Sequence, residues 1–185
     1  MSPDTSPPHD LDLVIDYVNT LDIDAGSDVL ASSSGLSEWL VQRHLLADRT
    51  SLPSEANRAE AVRLREALRG LLLEHNGAAH DDGAAAELER VARRGGLGVH
   101  FGPDAAVSLR PAREDFDGAL ASLLVPVVQA VSDDTWLRVK ACRASDCAWA
   151  FYDRSRNRSG TWCDMAVCGN RTKVRAYRQR APRGT

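Results

Sequence analysis

Aromatic residues supply only 5% of this 185-residue chain, methionine occurs twice, and no cysteine appears before position 142. A chain so poor in aromatics has to build its core from Leu, Val and Ala. The missing early cysteines exclude a disulfide framework or a thiol centre from the first three quarters of the sequence. No apolar run approaches the ~20 residues needed to span a bilayer. The opening "MSPDTSPPHD" has neither a basic stretch nor an apolar one, so it does not read as a secretory signal. Residues 1–10 are expected to be a disordered leader, and the protein to be cytoplasmic with no membrane partner. The five histidines (His9, His44, His75, His80 and His100) show no H-E-x-x-H spacing, and no glycine-rich phosphate loop is present. No enzymatic activity is expected, and no catalytic residues are assigned.

What is present is a division of charge. From Leu137 to Thr185 there are 12 Lys and Arg against three Asp, leaving 11 basic and 23 acidic residues in 1–136. The net of −3 therefore conceals an acidic body of −12 and a basic tail of +9. Such asymmetry suits a tail that meets a polyanion, or two parts that neutralise each other within one molecule.

The periodicity of the first 133 residues predicts a mostly helical body with one small β element. "LDLVIDYVNTLD" (11–22) leans to helix, and "SGLSEWLVQRHLLA" carries leucines and a tryptophan at roughly helical spacing. The clearest helix begins at Ser54, a good N-cap, and ends at Asn76-Gly77. "DGAAAELERVARRGG" is a shorter helix stopped by Gly95-Gly96. "LGVHF" and "AVSLR" read as a hairpin, and a helix from about Arg113 to Val131 is expected to kink or stop at Pro126. A domain boundary near 133 separates this body (11–133) from a second module (134–185), giving an α+β chain.

All four cysteines lie in that module, spaced C-x4-C-x15-C-x4-C: Cys142, Cys147, Cys163 and Cys168. Two sequence-local pairs of soft ligands suit one structural zinc ion, and four thiolates leave no open position for substrate. Disulfides, redox thiols or unrelated buried cysteines would use the same residues, but with compartment, spacing or scatter against them. Between the pairs, "AWAFYDRSRNRSGTW" reads as strand, basic turn, strand. Trp149, Phe151 and Trp162 form a miniature core beneath the metal or, alternatively, stack on bases. The turn contributes Arg154, Arg156 and Arg158. A helix after Cys168 contributes Arg171, Lys173, Arg175, Arg178 and Arg180, with Arg171, Arg175 and Arg178 on one face. These eight are the candidate nucleic-acid contacts.

The stretch "CRASDCAWAFYDRSRNRSGTWCDMAVCGNRTKVRAYRQR" resembles the CGNR zinc-finger family, whose name is spelled here by Cys168-Gly169-Asn170-Arg171. The body, with "YVNTLD" (17–22) and "LREALRGLL" (64–72), is similar to the ABATE domain. The resemblance implies a bacterial, stress-induced transcription regulator: the four cysteines hold zinc, and the basic residues meet DNA. The body would serve as sensor or dimerisation module, with a small-molecule effector and a homodimer among its implied partners. Ser159-Gly160-Thr161 departs from a stretch that is often more basic in the family. Gly169 is expected to supply a backbone conformation closed to other residues, and Asn170 to cap the last helix or to bond a zinc-bound sulfur. Arg171 suits phosphate contact or bracing against the acidic body equally. A zinc-stabilised protein-interaction module, or an RNA-binding protein, stands as the alternative function.

Overall fold

The computed structural model describes residues 7–47 and 52–180. Residues 1–6 of the expected leader lie outside the described residues; 7–10 form a turn in which His9 pairs with Asp133. The first helix, α1 (Leu11–Val18), turns Leu11, Val14, Tyr17 and Val18 inward, so the helical reading of 11–22 holds for its first two turns. Two residues later, β1 (Leu21–Asp22) pairs antiparallel with β2 (Ser27–Asp28). A short helical turn then leads into α2 (Ser33–Gln42), capped by the Ser32 hydroxyl, which accepts from the Gly35 N–H.

The longest helix, α3 (Glu55–Glu74), starts where the sequence places it. The Ser54 hydroxyl accepts from the Asn57 N–H while the Asn57 carboxamide accepts from the Ser54 N–H, a reciprocal cap with Asn at the third position. Its apolar stripe, Ala61, Leu64, Leu68 and Leu72, is buried. Glu60, Arg65 and Arg69 are buried with it, and each is matched. Glu60 is held by Arg90 and Arg94, and Arg65 forks onto Asp28 at 2.6 and 3.1 Å. Unmatched charges at these positions would cost several kcal/mol each.

Next comes α4 (Asp82–Gly95), which packs on α3 and ends at Gly96 in the left-handed region, φ 66°. The predicted hairpin is present as β3 (Gly98–Phe101) and β4 (Val107–Arg110). The single helix expected over 113–131 is instead two, α5 (Phe116–Ser122) and α6 (Val125–Ser132). Asp115 caps α5, so the start falls later than expected; Pro126 sits in the first turn of α6, where a missing N–H does no harm.

The last hairpin is where body and finger meet. Strands β5 (Val139–Ala141) and β6 (Ala150–Tyr152) pair with Val139 opposite Tyr152 and Ala141 opposite Ala150. They lie against α3 and α1 respectively, and Val139, Ala141 and Ala150 are part of the body's main core. The strand–turn–strand expected between the cysteine pairs is therefore corrected. The partner of β6 precedes the first cysteine, and residues 153–162 form a loop. The chain closes with a π-helical turn (Met165–Gly169) running into α7 (Asn170–Arg180).

Body side chains complete the hairpin's backbone hydrogen bonding. Asn19 bonds reciprocally with Ala150, accepting its N–H at 2.7 Å and donating to its carbonyl at 3.0 Å. Arg69 spans Val18 and Ala148, donating to both carbonyls at 2.7 and 2.8 Å. Asn76 donates to the Ala141 and Thr161 carbonyls, each at 2.8 Å, and His75 donates to Val139 at 2.7 Å. Because Arg69→Met keeps the stem but strands two buried carbonyls, it should cost about 2–4 kcal/mol. Urea unfolding followed at body and finger probes should show one shared transition moved to lower denaturant. Two separate transitions would contradict the shared core.

Candidate metal centre and basic surface

Each cysteine is placed by a local device. The loop joining β5 to β6 carries the first pair: the Cys142 N–H bonds Trp149, and the Cys147 N–H folds back on Ala144. Ala148, at φ 50°, completes that turn in a conformation uncommon for a residue with a side chain. In the second pair Cys163 precedes the π-helical turn and Cys168 lies within it; the cap of that turn is Asp164, its carboxylate accepting from the Val167 N–H. All four sulfurs converge, lying within 4.8 Å of one another, and all four cysteines are free. Cys147 and Cys163 are 3.6 Å apart, and Cys163 and Cys168 are 3.7 Å apart. A tetrahedron with zinc–sulfur bonds of about 2.3 Å has edges of about 3.8 Å, so these spacings fit zinc and exclude the much shorter disulfide bond.

Thiol electrostatics favour a cation here as well. Burial, with the crowding of other sulfurs, pushes the Cys147 thiol up to about 11 and Cys163 higher still. Cys168 is held below the usual thiol range: burial opposes this, but hydrogen bonds from the neighbouring sulfurs and from Arg171 outweigh it. Four sulfurs this close cannot all ionise without a positive charge among them, which one divalent zinc supplies. Trp149 and Trp162 pack against the cluster, as expected of a core beneath the metal; Phe151 is partly buried on the hairpin.

Two positions of the family motif act differently from expectation. Gly169 has no positive φ; what favours glycine is space, since a Cβ would stand 3.1 Å from Trp162 and 2.4 Å from Met165 Sδ, whose exposed side chain would have to move aside. Asn170 neither caps α7 with its side chain nor touches sulfur, but donates to the Ala166 carbonyl at 3.0 Å. Arg171 bridges the two parts of the chain. It donates to Cys168 Sγ at 3.6 Å and to Asp24 of the body at 2.8 Å, and lies 3.5 Å from Asp146. Arg175, one turn on, also reaches Asp146, at 2.9 Å. Asp146 lies between the first two cysteines, so these pairs tie α7 to the opposite half of the finger.

The remaining cations divide sharply. Arg158 pairs with Asp134 at 2.6 Å. Arg154 is exposed, its guanidinium 5.7 Å from the Tyr152 ring, and Arg156, Lys173 and Arg178 are exposed with no acidic partner among the described residues. Arg180 falls within α7, and its side chain lies outside the described residues. Along α7, Arg171, Arg175 and Arg178 line a concavity of about 760 Å³ together with Val167 and Val174.

Residues the pattern-based reading passed over hold the basic turn in place. Lys140 and Asp153 are buried side by side, Nζ to carboxylate 2.7 Å. Lys140 also donates to the Gly160 carbonyl, while Asp153 accepts from the Ser155 and Gly160 N–H groups. Burial alone would push the Asp153 carboxyl up, but these hydrogen bonds outweigh it and hold it at about 2. A Cβ on Gly160 would lie 2.7 Å from that carboxylate, so the departure at 159–161 includes a glycine the turn requires. A lysine within a buried strand, thirteen residues before an aspartate, was the available signal.

Residues 11–137 match the ABATE family, described as "Putative stress-induced transcription regulator", and residues 138–181 match the CGNR zinc finger. No curated protein matches the chain.

Cys147→Ser or Cys168→Ser should abolish stoichiometric zinc and unfold the finger, because structural zinc contributes roughly 10–16 kcal/mol in such modules. Metal analysis with circular dichroism reads this directly; a metal-free protein with an intact finger would refute the zinc centre. Asp153→Leu, which leaves Lys140 buried and unpaired, should cost about 3–5 kcal/mol, and adding Lys140→Met should recover part of that loss. A double variant no more stable than the single one would show that the pair is not coupled.

Proposed function

Because the chain belongs to the ABATE family of transcription regulators and carries a CGNR zinc finger, we propose that it binds DNA through the finger and regulates transcription. The observation that supports this most is α7. It leaves the metal centre as an exposed helix, anchored at its first two turns by Arg171 and Arg175, with Lys173 between them and Arg178 beyond them free. An α-helix of this kind fits the major groove, and Arg154 and Arg156 on the basic turn offer further phosphate contacts. The acidic body repels phosphate and so restricts DNA to the finger side. In this reading zinc is scaffold, Cys142, Cys147, Cys163 and Cys168 are its ligands, and the body is the sensor or dimerisation module. Neither family is one of enzymes, and among the described residues no helix is long and apolar enough to cross a membrane.

RNA reading by base stacking loses support, because Trp149 and Trp162 are taken up beneath the sulfurs. A protein partner is the second reading. Val167 and Val174 are exposed along the same concavity as the arginines, which suits an acidic, partly apolar peptide.

Four free cations predict a log K against log salt slope of about −3.6 on duplex DNA, measured by fluorescence anisotropy. Lys173→Ala and Arg178→Ala should each reduce that slope by about one. Arg171→Ala should instead loosen the finger from the body, lowering stability and metal retention. A slope near zero with zinc bound would favour the protein partner.

A further inference from the structure

The β3–β4 hairpin presents large apolar side chains to solvent. Val99 lies opposite Leu109 and Phe101 opposite Val107, so these four side chains share one face. Three of the four stand in solvent, Val99 60% exposed, Phe101 82% and Val107 62%, while Leu109 is partly buried. The other face carries Gly98 and His100, which are partly buried, and Ser108 and Arg110, which are exposed. Between the apolar face and α6 runs a groove of about 400 Å³ lined by Val99, Val107, Leu109 and Val128 with Ser108, Gln129 and Ser132.

We infer that this face is the interface between two copies of the chain, with Phe101 of each copy seated in the partner's groove. Knob and groove lie on one surface of one molecule, which is the self-complementarity a two-fold contact demands. The exposed apolar area of these residues is on the order of 500 Å², the size of the largest patch on an ordinary monomer. Two copies bury about 1,000 Å² before any rim is counted, the threshold for a specific interface. No groove residue is charged, whereas residues 1–136 carry a net −12. Anionic lipid and nucleic acid are repelled from such a body, and two acidic bodies meet with least repulsion on an uncharged face.

Sedimentation equilibrium of the zinc-loaded full chain tests this without DNA, so its failure and that of the DNA-binding proposal are distinguishable. The wild type should show the two-chain mass in the micromolar range. Phe101→Ser combined with Val107→Ser should raise the dimer dissociation constant about 30-fold or more, with helix content and zinc unchanged. Tyr177→Ser, which removes an exposed aromatic from α7, should leave the dimer intact. A wild type that stays monomeric overturns the proposal and assigns the patch to a different protein. A dimer that survives the double substitution, or that Tyr177→Ser breaks, overturns it by placing the interface elsewhere.

Discussion

Backbone groups of a hairpin have to be hydrogen-bonded when water is excluded, and in this protein the body's side chains meet that need. Asn19, Arg69, His75 and Asn76 reach from α1 and from α3 and its end to the carbonyls and N–H groups around β5 and β6. Without them the hairpin could not enter the core with Val139, Ala141 and Ala150. Once it is there, the loop holding Cys142 and Cys147 has a fixed position, and the second pair has a partner to close on. The order of dependence thus runs from buried polar contacts to the metal site, and from the metal site to α7.

Charge follows the same construction. The acidic body and the basic finger partly neutralise each other at named places, Arg171 with Asp24 and Arg158 with Asp134. The internal neutralisation that the sequence allows therefore holds in part: some of the tail's charge is spent inside the molecule, and the remainder faces outward. Arg171 shows how the two uses divide. Its guanidinium lies against a sulfur of the metal centre, so its position reports on that sulfur's charge, and a phosphate would have to displace Asp24 to reach it. Lys173, two residues on, and Arg178, about two turns along, carry no such commitment.

The residues that carry the ABATE resemblance turn out to be those that hold the finger. In "YVNTLD", Tyr17 anchors α1 to the Ala61 carbonyl, Asn19 binds β6, and Thr20 sits beside Arg65. In "LREALRGLL", Leu64, Leu68 and Leu72 fill the core while Arg65 and Arg69 secure the β1–β2 turn and the hairpin. Two arginines four residues apart on a leucine-rich helix were the visible sign that the helix buries polar contacts. Their targets were not visible, because an arginine's partner here is a backbone carbonyl 79 residues away, and every residue has one.

Local chemistry could be read directly from the chain. Ser54 and Gly96 mark helix ends, Pro126 marks a helix break, alternation marks the β3–β4 hairpin, and cysteine spacing marks a four-sulfur metal site. Each of these depends on neighbours within a few residues, or on a ligand set whose chemistry is specific. Tertiary structure alone decided that β6 pairs backward to β5, that Gly169 answers crowding rather than torsion, and which arginines remain free. Those outcomes depend on distances between segments far apart in sequence, and an arginine next to an aspartate in space reads the same along the chain as one facing solvent.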